Sequence, residues 1–182
     1  MRKILLTSAG FETAAIRGAF LDFVGKAPKD IKALFISTAA IDADAIAVLP
    51  KCMDDLLDIG IPADSITVFD LHRCMTIEEL SAFDAVYFTG GSPQYLLDRI
   101  NATGFRAPLD EYVNNSGVYV GVSAGSVVAA GNRPDNLGYL NAMLRVHMTT
   151  GTPPGAFDNN AVAQIDLTNN AVRIYGNAYE VI

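Results

Sequence analysis

The sequence predicts an α/β fold of three layers, a doubly wound and mostly parallel sheet with helices on both faces. Three observations carry this. Short runs that are apolar throughout, such as ALFIS at 33–37 and AVYFT at 85–89, alternate with longer stretches of helical period. Strands without an apolar/polar alternation are buried on both sides, as happens in parallel sheets sandwiched between helices. The third observation is composition. With 51% hydrophobic and 18% charged residues in 182, the chain has the balance of one that folds around a core. One domain spanning 1–182 is expected.

Each element follows in order. Lys3 to Ser8 reads as a strand and Glu12 to Val24 as a helix. Ala33 to Ser37 is the second strand. Asp42 to Ile59 has the pattern of one long amphipathic helix, ended by Gly60 with Pro62 beyond it. Ile66 to Leu71 is a strand. Thr76 opens a short helix with Glu79 three positions on, the signature of a capping box. The strand Ala85 to Thr89 is closed by Gly90-Gly91. Pro93 to Ile100 and Phe105 to Asn115 are helical, Val118 to Val122 is a strand, and Ala124 to Ala130 begins a helix of small residues. Right-handed crossovers should connect the parallel strands. After Gly131 turn formers accumulate, and Met143 to Met148, Ala161 to Leu167, Ala171 to Tyr175 and Tyr179 to Ile182 read as short strands in an irregular last third.

Several function classes are disfavoured. The formal charge is −7, which repels phosphate backbones, and no cluster of Lys or Arg offsets it, so no nucleic-acid partner is expected. The opening MRKILL has basic residues before apolar ones, but Ile4 to Leu6 is far too short for a signal h-region and reads as a first buried strand. No apolar run approaches membrane-spanning length, so no membrane partner is expected. Cys52 and Cys74 lack CxxC spacing and have no histidine at ligand distance in the sequence. Reduced thiols in a cytoplasmic protein, with no disulfide and no metal, are the expectation. His72 follows a strand-like run and reads as an ordinary surface or capping residue.

The chemistry concentrates at Gly121-Val122-Ser123-Ala124-Gly125. This is G-x-S-x-G directly after an apolar strand and directly before a helical run, the setting of a nucleophile elbow. A serine at the tip of so tight a turn projects its Oγ clear of the sheet. The small neighbours at 121 and 125 let strand and helix pass closely. The Ala124 N–H then faces the developing oxyanion. A plain glycine-rich strand–helix turn is the competing reading. Thr89-Gly90-Gly91-Ser92-Pro93 is a second turn between strand and helix. Parallel sheets bind ligands at this edge, so Gly90 and Ser92 are candidate substrate contacts and Gly91 N–H a candidate second oxyanion donor. A simple turn with Pro93 at the first helical position is equally consistent. The turn does not match G-x-G-x-x-G, so no dinucleotide cofactor is indicated, and none of any kind is expected. Of the two histidines, His147 ends a strand-like run before a Gly/Pro loop and is the candidate base. A buried structural histidine would look similar.

These residues resemble the aspartyl dipeptidase (dipeptidase E) family of serine peptidases, which includes the cyanophycinases. The likeness runs through KILLTSAGF, FTGGSPQYLLDRI, GVYVGVSAGS, VHMTTGTPPG and IDLTNNAVRIYGNAYEVI. It implies a fold like that of the class I glutamine amidotransferases, which is flavodoxin-like, with serine where those enzymes usually carry cysteine. It implies Ser123 as nucleophile, His147 as general base and the N–H groups of Gly91 and Ala124 as oxyanion hole. Relatives cleave dipeptides with N-terminal aspartate, or a β-aspartyl-linked polymer.

Two departures bear on function. The family's third triad member is similar in position to a glutamate in an acidic turn before the penultimate strand. Here that turn reads Leu167-Thr168-Asn169-Asn170, which places Asn170 in the acid's role. Asn can orient an imidazole but cannot neutralise an imidazolium, and Asp-to-Asn in a serine triad costs about 10⁴ in kcat. Asp166 or Asp158 is the nearby substitute. The segment after the elbow is also short for a dipeptidase, so loops that select an aspartyl group are expected to be missing, with Arg133 and Arg145 as the nearest carboxylate partners. The expectation is a serine peptidase acting on small peptides. The alternative is a silent relative that binds a peptide or metabolite in the same pocket. A symmetric homodimer is expected from the general frequency of such assemblies.

Overall fold

The computed structural model describes residues 1–148 and 163–182. Nine strands appear among them: β1 Lys3–Thr7, β2 Ala33–Ile36, β3 Ile66–Phe69, β4 Ala85–Phe88, β5 Val118–Val122, β6 Met143–Arg145, β7 Gln164–Asp166, β8 Ala171–Tyr175 and β9 Ala178–Val181. The helices are α1 Ala14–Val24, α2 Ala43–Ala47, α3 Leu49–Asp58, α4 Ile77–Leu80, α5 Pro93–Ala102, α6 Arg106–Asn114 and α7 Ala124–Ala129. Seven strands form one sheet in the order β3-β2-β4-β5-β1-β8-β9. The first five are parallel, and β8 and β9 continue the sheet antiparallel.

The central strands show why they read as continuous apolar runs. Ile4, Leu5 and Leu6 are all fully buried, because both faces of the sheet are covered. Ile4, Leu6, Leu34, Val86 and Tyr119 pack against Leu96 and Ile100 of α5, Leu109 of α6 and Val128 of α7. Leu5, Phe35, Tyr87 and Val120 point the other way, onto Phe20 and Phe23 of α1 and Leu56 of α3. The period of two in each strand thus splits the core in two. Each such Leu, Ile or Phe contributes about 1.5–3 kcal/mol relative to leaving it exposed. The three-layer, mostly parallel α/β architecture is the one predicted.

Three local differences have clear causes. The helix expected over Asp42 to Ile59 is two helices. Val48 ends α2 at φ −93°, ψ −5°, and Pro50 lies in the first turn of α3, where its missing N–H is harmless. Asp42 caps α2 by accepting from Ala45 N. The strand expected over Met143 to Met148 stops at Arg145, since His147 has φ 59°, a left-handed conformation that no strand tolerates. It also leaves the main sheet, pairing in parallel with β7 as a separate two-stranded unit. Of the strand expected over Ala161 to Leu167, positions 161 and 162 lie outside the described residues, and 164–166 form β7. The capping box is as read: Thr76 Oγ1 accepts from Glu79 N at 3.3 Å and Glu79 Oε2 accepts from Thr76 N at 2.8 Å.

Candidate active site

β5 delivers Ser123 to the carboxyl edge of the sheet, between β4 and β1. Ser123 has φ 48°, ψ −103°, far from the usual basins, at a cost of about 1–3 kcal/mol that the surroundings must hold in place. The two glycines of the motif explain how. A Cβ at Gly121 would lie 2.6 Å from the backbone carbonyl of Gly125. A Cβ at Gly125 would lie 2.7 Å from Phe88 Cβ on the neighbouring strand. Strand and helix are therefore in backbone contact on one side of the serine, and helix and β4 on the other.

Beneath the turn, Ser126 fastens it to β1. Its fully buried hydroxyl accepts from Thr7 N at 2.9 Å and sits 2.8 Å from Thr7 O and 2.7 Å from Gly121 O, to one of which it donates. Ser123 N donates to Thr7 O at 3.0 Å. Ser126 was missed in the sequence reading, although a serine among small apolar residues directly after the elbow was the available signal.

The structure brings His147 to the serine. Ser123 Oγ and His147 Nε2 are 2.8 Å apart. The histidine is positioned by its backbone, whose N–H donates to Ser8 Oγ at 2.6 Å, and by Met148 N donating to Leu167 O at 3.2 Å. Ser8, in the loop after β1, is a second residue the sequence reading missed. His72 is remote from this chemistry, on the surface with Nδ1 2.6 Å from Asp70 Oδ1.

Gly91 has φ 133°, and a Cβ there would fall 2.0 Å from Ala39 O, so no other residue fits the turn. Gly90 and Gly91 join Ser123 and His147 in lining a cavity of about 430 Å³, whose walls include Ala9, Lys51, Cys52 and Val122. A Cβ at Gly90 would come within 3.3 Å of Ser123 Cβ. Ala124 opens α7, where first-turn N–H groups have no partner within the helix.

Other candidates are placed elsewhere. Ser92 does not line the cavity. Its hydroxyl accepts from Tyr95 N at 3.3 Å and caps α5, the usual role of a serine before a helix. Asn170 does not reach the histidine among the described contacts. Its Oδ1 accepts from Thr168 N at 2.8 Å and its Nδ2 donates to Asp166 O at 3.3 Å, closing its own turn. Asn169 is the member of the pair that shares a hollow with His147, together with Ser8, Glu12 and Thr168. Asp166 is held by Arg145, with bonds of 2.7 Å and 2.5 Å, which keep its carboxyl down at a pKa of about 2. That pair ties β6 to β7, a structural use of both residues. Asp158 lies outside the described residues. Arg133 binds Asp135 at 3.2 Å and Gln94. Among the described residues, no acid or amide side chain is hydrogen-bonded to the second ring nitrogen of His147.

A buried cluster backs the cavity. Asp55 Oδ2 accepts from Tyr87 OH at 2.6 Å and Phe11 N at 3.0 Å. Burial raises its pKa, against the lowering effect of these bonds. Burial, with the Asp55 charge adding to it, also raises the thiol pKa of Cys52, so Cys52 meets the cavity as a neutral group. Both cysteines are free thiols, Cys52 buried and Cys74 exposed. No group of three or more metal-binding side chains occurs among the described residues, and no helix there is long and apolar enough to cross a membrane.

The sequence profile of peptidase family S51 matches residues 4–137, which spans the elbow, the glycine turn and most of the sheet. The chain belongs to peptidase family S51. An uncharacterized peptidase of Pasteurella multocida (strain Pm70) is 24% identical over 143 residues, covering 79% of this chain and 67% of that protein. A Listeria monocytogenes EGD-e protein described as peptidase E superposes with a TM-score of 0.76 at 18% identity, over 100% of this chain and 98% of that one. A peptidase from an acI-B1 Actinobacterium gives a TM-score of 0.69 at 17% identity, over 100% and 87%. These two structures share the fold. Membership of S51 makes the chain a serine-type peptidase.

Proposed function

We propose that this S51 peptidase hydrolyses short peptides with Ser123 as nucleophile and His147 as general base. The observation that carries the reading is the 2.8 Å contact between Ser123 Oγ and His147 Nε2, on a serine held in a strained turn. His147 takes the hydroxyl proton as Oγ attacks the substrate carbonyl. The N–H groups of Gly91 and Ala124 stabilise the tetrahedral oxyanion. His147 then gives the proton to the leaving amine, and an acyl-enzyme remains. Water, activated by the same imidazole, releases the acyl group. Hollows of about 430 Å³ and 500 Å³ on the two sides of the dyad are sized for a residue or two each, which supports small peptides as substrates. Two free thiols, one of them exposed, support a reducing, cytoplasmic setting.

The test is a fluorophosphonate labelling time course on wild type, Ser123→Ala and His147→Ala. Labelling of the wild type that is lost in both variants is the expected result. A second reading, a peptide-binding relative with a silent serine, is favoured by one observation: Asn170 closes its own turn rather than orienting His147. A wild type that resists labelling while still binding dipeptides would select it.

A further inference from the structure

The cavity beside the serine bears on what is cleaved, an inference that rests on the peptidase reading above. We propose that the acyl residue of the substrate, whose carbonyl Ser123 attacks, carries an uncharged aliphatic side chain. His147 protonates the leaving amine, and the hollow that His147 lines without Ser123, toward Ser8, Glu12, Thr168 and Asn169, takes the leaving group. The acyl residue stays bonded to Ser123, so its side chain belongs in the cavity of about 430 Å³ that Ser123 itself lines, together with His147, Gly90 and Gly91.

The walls of that cavity include Ala9, Ala45, Val48, Cys52 and Val122, and among the described residues the one charged side chain that lines it is Lys51. The ammonium of Lys51 is already balanced: it lies 3.3 Å from Glu12 Oε1 and 3.5 Å from Ala9 O. No other cation lines the cavity among the described residues, and positions 149–162 contain neither Lys nor Arg. Arg133 and Arg145 are engaged with Asp135 and Asp166. An acidic side chain entering here would shed its water against methyl groups and compete with Glu12 for the lysine. An aliphatic side chain loses nothing on entry and gains the usual burial energy.

The proposal is tested by calorimetry of Leu-Ala, Ala-Ala and Asp-Ala on Ser123→Ala, alongside their hydrolysis by the wild type. Leu-Ala should bind at least about tenfold tighter than Ala-Ala, the discrimination that added methylenes give in an apolar pocket, and Asp-Ala weakest of the three. Val48→Arg, at the exposed mouth of the cavity, should reverse the order of Leu-Ala and Asp-Ala. Equal or tighter binding of Asp-Ala to Ser123→Ala overturns the proposal, as does failure of all three dipeptides to bind. Selective binding of Leu-Ala without hydrolysis or fluorophosphonate labelling of the wild type would instead sink the catalytic reading and leave the aliphatic subsite standing.

Discussion

Ser123 and His147 meet at hydrogen-bonding distance, yet they are held by very different parts of the molecule. The serine stands on β5, a central strand of seven, with backbone packed against backbone at Gly121 and Gly125 and a buried hydroxyl pinning it to β1. The histidine stands two residues past β6, a three-residue strand whose ladder partner among the described residues is the three-residue β7. Among the described residues its segment is anchored by Leu144 and Leu167, which are buried in the core, by the Asn132 side chain on the Leu144 backbone, by the bond to Ser8, by the Met148–Leu167 bond and by the Arg145–Asp166 pair. The nucleophile is fixed by backbone contacts inside the central sheet, whereas the base follows a short strand that reaches the core through Leu144 and is then held by single hydrogen bonds. A three-residue ladder outside the main sheet opens at lower free energy than a central strand, so proton transfer is the step most exposed to small changes in this molecule.

The largest effect separates the two halves outright. His147→Gln should slow fluorophosphonate labelling by about 10²–10⁴-fold while leaving the melting temperature where it is, because the core does not depend on the imidazole. A large fall in melting temperature would break the comparison. Gly125→Ala attacks the other half. With Phe88 only 2.7 Å from the new methyl, the overpacking should cost about 1–3 kcal/mol, lower the melting temperature by about 2–12 °C, and slow labelling through a displaced Oγ.

Smaller changes sharpen the picture. Ser8→Ala removes the acceptor for His147 N–H and should lower kcat about tenfold with little change in KM, since it moves the base and not the pocket. Asp166→Asn probes the clamp between β6 and β7. The folded pKa of Asp166 is lowered from 3.8 to about 2, so the stabilisation is fully present above the unfolded value and is lost as pH falls through the folded one. The difference in amide-exchange protection of 143–145 between wild type and variant should be steady above about pH 5 and vanish toward pH 2. Least of all, Asp55→Asn keeps an acceptor for Tyr87 and Phe11. The folded pKa of Asp55 is raised, so wild type loses stability as pH climbs past the unfolded value, and the variant should gain on it over that rise and level off once the folded carboxyl has ionised, as read by denaturant unfolding.

The same division decides what was legible in the sequence. The core half could be read directly. Continuous apolar runs gave β1, β2, β4 and β5, and G-x-S-x-G placed Ser123 because the chemistry of close backbone approach demands glycine at fixed offsets. The long helix over 42–59 failed for a local reason, the proline at 50, which a stricter reading of helix starts would have caught. The base half was partly hidden. That His147 faces Ser123 follows from a left-handed residue and a bond to Ser8, 139 positions away, neither of which has a signature in residue spacing. Asn170 and Ser92 were read as site residues from their place in a turn. Both turned out to serve the turn itself, the common fate of Asn and Ser beside a free backbone N–H. The cavity walls at Ala45, Val48 and Cys52 carried no motif at all, because apolar helix positions look alike whether they face a core or a ligand.

The hydroxyl of Ser126 also says something about how the protein is made. It joins Thr7 to the elbow across 119 positions of chain, and β1 is held on its other flank by β8, more distant still. Contacts of such range close large loops before any reward is collected, which slows folding. The strained serine therefore belongs to the last structure acquired, and a refolding chain should recover its helices well before it recovers a reactive Ser123.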